Sequence, residues 1–101
     1  MVRRSVFEEL GGFDESLAVS FNDVDLCLKA RAAGYYNVYL PHVVLYHYES
    51  KSRGSELSEL DRQRFAQEIR TMEERWQIPS VPDPCYSIHL TLDAPNFAVR
   101  A

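Results

Sequence analysis

The stretch SFNDVDLCLKARAAG, from Ser20 to Gly34, decides how the chain is organised because it carries both a helix start and a helix stop. Asn22 is a favoured N-cap residue, and Asp25 stands three positions later, where a capping box places its acidic partner. Glycine readily adopts the left-handed conformation that closes a helix, so Gly34 marks the stop. The pattern therefore predicts a helix from the Asn22 cap to Ala33.

Apolar residues cover most of the circumference of this helix, which is typical of a buried helix. Val24 is expected to pack inward, and Cys27, which stands among leucines and an alanine, is expected to be a small core residue. Cys85 lies far along the chain without CxxC or Cys/His spacing, so the cysteines predict neither a zinc site nor a disulfide scaffold. A reduced, cytoplasmic setting follows.

Asp23 and Asp25 allow three interpretations: a helix cap, a metal site or the mouth of an active site. Asp23 would lie in the first helical turn, where unpaired backbone N–H groups and the helix dipole favour a negative charge. An ionised carboxylate there can accept a proton from a hydroxyl if its side chain points into a cleft. Composition and spacing alone favour the cap.

The segments on either side of this helix are shorter and more irregular. Before it, Arg4 to Leu10 reads as a short helix ended by Gly11-Gly12, followed by a loop. After it, a tyrosine- and valine-rich stretch broken by a proline predicts two strands, Asn37 to Leu40 and Val43 to Tyr48.

The last third of the chain predicts one more helix and an extended tail. The helix is expected from Glu56 to Trp76 and to lie on the outside, because its apolar residues form one narrow stripe. Four of the five prolines follow it, which indicates irregular structure to the end. The stripe consists of Leu57, Leu60, Ile69, Met72 and Trp76.

Length and charge limit the classes of function. At 101 residues with 46% hydrophobic content, the chain is one domain at most. A formal net charge of −4 gives no diffuse basic field, so nucleic acid is not an expected partner. No run of about 18 apolar residues occurs, so neither a membrane span nor a secretion signal is expected.

Two further places could carry chemistry. His47 ends a predicted strand that opens onto a polar loop, where α/β proteins place ligands, and neutral imidazole is a common metal ligand. A packed histidine among tyrosines is the alternative. Lys51, Ser52 and Arg53 gather cations and a hydroxyl that could hold a phosphate or diphosphate, or could simply be solvated.

Taken in order, several motifs resemble the C-terminal part of family 2 glycosyltransferases, above all the bacterial rhamnosyltransferase-like enzymes of O-antigen and cell-surface polysaccharide synthesis. They are GGFDE (11–15), FNDVDLCLKARAAG (21–34), YHYES (46–50), SRG (52–54) and the ending DPCYSIHLTLDAPNFAVR (83–100).

The resemblance implies an α/β fold. The chain would be the acceptor-side portion of a GT-A nucleotide-diphospho-sugar transferase fold, incomplete without an N-terminal Rossmann-like half and its metal-binding Asp-X-Asp. Residues 1–101 then form a single partial domain. Within it, 1–55 is the catalytic-core segment, 56–78 the outer amphipathic helix and 79–101 the extended tail.

The resemblance also implies roles for individual residues. Asp23 matches the aspartate that acts as general base on the acceptor hydroxyl, although Asn22 stands where many relatives have Glu. His47 matches a histidine that in some members helps to hold a divalent cation. Two sets of substrate-binding residues follow from the same motifs: the diphosphate loop Lys51, Ser52 and Arg53, and the sugar and acceptor loop Gly12, Phe13 and Asp14.

The implied reaction is inverting transfer from a nucleotide-sugar donor to a saccharide or lipid-linked acceptor, with Mg²⁺ or Mn²⁺ in the full-length enzyme. The chain alone is expected to be inactive and metal-free, and to be cytoplasmic, with peripheral contact to the inner membrane face in the full-length protein. An unpartnered sheet edge would favour self-association. Two rival readings are a non-catalytic docking module using the stripe of the 56–76 helix, and a metal-dependent hydrolase using Asp23, Asp25 and His47.

Overall fold

A computed structural model describes residues 1–48, 58–78 and 80–100, and most of their regular structure is helical. Outside the helices these residues form turns and extended segments, joined at one point by an isolated antiparallel bridge between Leu90 and Val99. The helices are α1 (Arg4–Glu9), α2 (Asn22–Ala32) and α3 (Glu59–Trp76).

The glycine pair ends α1 as the sequence predicted. Gly11 and Gly12 have φ of +79° and +68°, in the left-handed region that glycine tolerates best. The N–H of Gly12 donates to the carbonyl oxygen of Phe7 at 2.9 Å. A Cβ atom at Gly12 would lie 3.2 Å from the Phe7 ring, so a side chain there would require the ring to shift by a few tenths of an ångström.

The C-terminus of α2 also matches its prediction. Gly34, at φ +89°, donates its N–H to Arg31, and the N–H of Tyr35 donates to Ala30. These two bonds form a Schellman motif, which satisfies carbonyl groups that the helix leaves unpaired. The helix ends at Ala32, one residue before the predicted end.

The side-chain cap predicted for the start of α2 is wrong. The N-cap position belongs to Phe21, and Asn22 is the first helical residue, with no side-chain cap at this end. Phe21 adopts φ +64°, which costs a non-glycine residue about 1–2 kcal/mol. Its ring stacks on Phe65 of α3 with the centroids 5.7 Å apart, so packing against α3 replaces the expected cap.

The third helix begins with a complete capping box. The Ser58 hydroxyl accepts the N–H of Asp61, and the Asp61 carboxylate accepts the N–H of Ser58. This box sets the helix start at Glu59, three residues after the predicted start, and the helix ends at Trp76 as predicted.

Only part of the predicted apolar stripe of α3 is buried. Met72 is buried and Leu60 is exposed, while Leu57 lies outside the described residues. Most α3 side chains are exposed within the described residues.

The buried core of the described residues is small, and α2 is not largely buried. Val24 and Cys27 are exposed, contrary to the predictions that they pack inward. The reason is that the contacts of α3 with α2 reach only the side where Asp25 is buried, while Ala30 is buried on the opposite side, which lines a cleft.

The two predicted strands are not formed in the described residues. Residues 35–48 are exposed and carry no strand assignment, with a turn at residues 41–42. A strand needs a neighbour to satisfy its backbone groups, so β propensity alone does not produce one. The regular structure of the described residues is thus mainly helical rather than α/β, and the GT-A fold stays a prediction. Residues 80–100 form turns and bends, apart from the isolated bridge.

Candidate active site

Asp23 lies on the exposed side of α2 and lines a cleft of about 540 Å³ bounded by α1, α2 and residues 35–38. Among the described residues that line this cleft, Asp23 is the only one with a carboxylate. A general base needs a carboxylate that borders a cleft, and Asp23 has that placement.

The Asp23 carboxylate has few partners within the protein. Oδ1 accepts the N–H of Val24 at 2.9 Å, and the carboxylate forms no ion pair with any described residue. One oxygen is therefore held by the helix backbone while the other is available to a ligand in the cleft.

The rest of the cleft is mainly apolar, with a few polar groups that its neighbours hold in place. The Tyr35 hydroxyl donates to Glu9 at 2.6 Å, and the Asn37 amide donates to the carbonyl oxygen of Cys27 at 2.9 Å. The Glu9 carboxylate raises the pKa of Tyr35 above its ordinary value of 10.0, so that hydroxyl stays protonated. Such a lining is typical of small-molecule sites, which combine apolar walls with a few orienting polar groups.

Asp25 points away from the cleft because it lies two residues after Asp23, and side chains two residues apart on an α-helix differ in direction by about 200°. Its side chain is completely buried. Oδ1 accepts hydrogen bonds from Arg75 Nη1 and Trp76 Nε1, both at 2.9 Å, and Lys29 Nζ lies 3.1 Å from Oδ2. Asp25 is therefore neither the predicted cap residue nor an open metal ligand.

Opposing effects set the ionisation of Asp25. Burial raises the pKa of its carboxyl, but hydrogen bonds from Arg75, Trp76 and Lys29 outweigh burial and hold the pKa below its ordinary value of 3.8. The carboxylate is charged near neutral pH and engaged by cations. This removes Asp25 from the hydrolase reading, which needed it as a metal ligand.

Asp14 joins the same network from the loop before α2. Its Oδ2 lies 2.7 Å from Arg75 Nη2, and its Oδ1 accepts the N–H of Ser16 at 2.8 Å. The Ser16 hydrogen bonds, with Arg75 adding to them, lower the pKa of Asp14 to about 2. Of the predicted acceptor-loop residues, Phe13 lines the cleft, Gly12 is buried, and Asp14 is occupied by Arg75.

The depressed pKa predicts acid sensitivity. A carboxyl with a lowered pKa stabilises the fold above its unfolded-state pKa, near 3.8, and this stabilisation is lost as the pH falls toward 2. Asp14→Asn should cost about 1–2 kcal/mol at pH 6 and progressively less from pH 4 to pH 2, since the side chain is 24% exposed and partly screened. Denaturant unfolding at a series of pH values measures this difference.

Glu15→Gln is the matched control for that series. Glu15 lies in the same loop, is exposed, and forms no hydrogen bond or ion pair with the described residues. Its substitution should leave the pH dependence as in the wild type. A constant difference between Asp14→Asn and wild type down to pH 2 would contradict the role of the Asp14 charge.

Of the remaining predicted site residues, only His47 is described, and it does not line the Asp23 cleft. His47 is exposed in the extended segment, and Lys51, Ser52 and Arg53 lie outside the described residues. Across the described ranges, no three His, Cys, Asp or Glu side chains are close enough together to hold a metal ion. A metal role for His47 stays a prediction.

Sequence reasoning missed the residues of α3 that hold the site in place. Glu68 is buried, and its two oxygens accept the N–H groups of Val19 and Ser20 at 3.0 and 3.1 Å. The sequence does contain a signal for Glu68. It lies three residues after Phe65 and four before Met72, so the helical period places it on the apolar face. A charged residue at such a position usually has a buried partner.

The relatives of this chain include an uncharacterised protein and a protein named for O-antigen biosynthesis. It is 45% identical over 102 aligned positions to the "Uncharacterized protein y4gI" of Sinorhizobium fredii, covering 100% of this chain and 11% of that protein. It is 39% identical over 101 positions to the O-antigen biosynthesis protein RfbC of Myxococcus xanthus, covering 99% and 8%. No family model and no solved structure matches.

A third relative names a specific transferase. Over 54 positions the chain is 41% identical to the N-acetylglucosaminyl-diphospho-decaprenol L-rhamnosyltransferase of Mycobacterium tuberculosis, covering 54% of this chain and 18% of that protein. These relatives confirm the resemblance to rhamnosyltransferase-like glycosyltransferases. The chain spans less than a fifth of the length of the relatives it matches.

None of the helices in the described residues combines the length and the apolar character needed to cross a bilayer.

Proposed function

We propose that this chain forms the acceptor side of an inverting glycosyltransferase of cell-surface polysaccharide synthesis, with Asp23 as its general base. The observation that carries the proposal is the Asp23 carboxylate, which borders the cleft, is free of ion pairs with the described residues, and has one oxygen held by a backbone N–H. The relatives support the class of reaction, since one is an O-antigen biosynthesis protein and another an L-rhamnosyltransferase.

The proposed step is a direct displacement at the anomeric carbon of a nucleotide-sugar. Asp23 takes the proton of an acceptor hydroxyl while that oxygen bonds to the anomeric carbon, and the bond from this carbon to the diphosphate oxygen breaks. The electron pair leaves with the nucleoside diphosphate, and the configuration inverts. General base catalysis of this kind contributes about 10²–10⁴-fold to a rate.

The apolar walls suit a saccharide or lipid-linked acceptor. Phe13 and Tyr36 both line the cleft and are exposed, at 52% and 94%. Aromatic rings combine apolar area with little loss of side-chain entropy, so they can hold the apolar face of a ligand beside the base. The acceptor hydroxyl would then lie next to Asp23.

A divalent cation such as Mg²⁺ or Mn²⁺ would supply charge neutralisation on the leaving diphosphate. The described residues do not provide a site for it, because they contain no close group of three metal-ligating side chains. The proposed step therefore uses only residues of the cleft. Ligands for a cation would come from outside the described residues.

The docking-module reading relied on the apolar stripe of α3. In the structure Met72 is buried within the chain and Trp76 donates to Asp25, so these two residues of that stripe already have partners here. The observation favours the enzyme over the docking module.

A transfer assay tests the proposed function. The full-length protein, given nucleotide-activated sugars including L-rhamnose and a lipid-linked saccharide acceptor, should form a glycoside whose anomeric configuration is inverted relative to the donor. Mass spectrometry detects the product, and NMR gives its configuration. Retained configuration, or release of free sugar without transfer, would overturn the proposal.

A further inference from the structure

The start of α2 needs outside support if Asp23 is to act from a fixed position. It has no side-chain cap, and Phe21 enters it in the unfavourable left-handed conformation. If the first turn of α2 frayed, the Asp23 carboxylate would change position. Misplacing a reacting group by about 1 Å can lower the rate about 10²-fold.

One face of α3 supplies this support. The Phe65 ring stacks on Phe21, and the Glu68 carboxylate accepts two N–H groups of the loop just before Phe21. Arg75 and Trp76 donate hydrogen bonds to Asp25, four residues after Phe21. At about 100° per residue, these four α3 side chains fall within about 100° of one another around the helix, so they share one side of it.

Arg75 has a distinct place on that face because it joins two acidic residues that flank the loop. Its Nη1 lies 2.9 Å from Asp25 in the first turn of α2, and its Nη2 lies 2.7 Å from Asp14 at the beginning of the loop. A guanidinium offers two donors in a fixed plane, whereas the ammonium of a lysine is a single point charge on a flexible stem. Only the guanidinium can hold both carboxylates in one geometry.

The two aspartates of the Asp-Val-Asp motif face opposite sides of α2 and have different roles. Asp25 faces α3 and is completely buried, while Asp23, about 200° around the helix, faces the cleft. Rotation or fraying of the first turn would move both side chains together. Fixing Asp25 therefore fixes Asp23.

We propose that Arg75 is a positioning residue for Asp23: by bridging Asp14 and Asp25 it sets where the Asp23 carboxylate stands in the cleft. Arg75 does not line the cleft itself. The inference rests on the proposed function, since it assigns Arg75 a part in that same reaction.

Arg75→Lys tests the inference in the full-length protein. The variant keeps the charge but loses the fork, so kcat should fall about 10–100-fold while KM for the nucleotide-sugar stays within twofold. Arg70→Lys is the matched control, because Arg70 is exposed on the same helix and contacts only Gln67 among the described residues. It should leave kcat unchanged.

A double mutant separates positioning from simple stabilisation. With Asp23 already replaced by Asn, Arg75→Lys should cause no further loss of the residual rate, because the group it positions is gone. Rates are measured well below the melting temperature of each variant. If Arg75→Lys lowers only the melting temperature and leaves kcat at the wild-type value, the positioning role is overturned.

The outcomes also distinguish the inference from the proposed function. Full turnover in Asp23→Asn would overturn the base assignment itself. Loss of turnover in Asp23→Asn together with wild-type kcat in Arg75→Lys would overturn the positioning role alone. If Arg75→Lys does not fold, Asp14→Asn removes one arm of the bridge and should give the same pattern, a lower kcat with unchanged KM for the donor.

Discussion

Asp23→Asn should lower the transfer rate of the full-length protein by about 10²–10⁴-fold while leaving the fold intact. The amide has the shape of the carboxylate and can still accept the Val24 N–H, but it cannot take a proton from the acceptor hydroxyl. Because Asp23 is exposed and unpaired among the described residues, its replacement should change the free energy of unfolding by less than about 0.5 kcal/mol.

Steady-state kinetics and the pH profile measure this effect. If Asp23 is the base, the acid limb of the kcat profile should disappear from the residual activity of the variant. Asn22→Ala is the matched control, since Asn22 begins the same helix but neither caps it nor lines the cleft. Equal losses in both variants would indicate damage to the helix start rather than loss of a base.

Local sequence signals predicted the helix ends well. Gly12 and Gly34 have positive φ at the two predicted stops, and such stops depend only on residues that are neighbours in the chain. For Asp23, local reasoning alone favoured the cap; the family resemblance assigned it the role of general base, and that role stays a prediction.

Long-range contacts explain where the sequence predictions failed. Asp25 has the spacing of a capping partner, yet it binds Arg75 and Trp76, which lie 50 and 51 residues away. No local pattern contains those partners. The predicted strands failed for a related reason, because the described residues offer residues 37–48 no neighbouring strand.

Glu68→Gln should be the most destabilising of the substitutions considered. Glu68 is buried and accepts two backbone N–H groups, from Val19 and Ser20, one on each carboxylate oxygen. Glutamine offers one acceptor oxygen, and its NH₂ group would face the second donor. Hydrogen bonds to a charged group contribute about 1.5–3 kcal/mol, so the expected loss is about 3 kcal/mol.

For a domain of this size, that loss lowers the melting temperature by an amount on the order of 10–20 °C. Glu73→Gln is the matched control, because Glu73 is exposed on the same helix and makes no hydrogen bond or ion pair with the described residues. Its effect should stay below about 0.5 kcal/mol. Equal melting temperatures for the two variants would show that the carboxylate does not hold the loop.

Hydrogen exchange locates the effect of Glu68→Gln within the chain. If the carboxylate holds the loop before α2, the amides of Val19 and Ser20 should lose protection first, followed by those of the first turn of α2. Amides in the second half of α3 should change less, because helical bonds of their own protect them. Such a gradient would link the stability of α3 to the place from which Asp23 acts, since both depend on the same buried face.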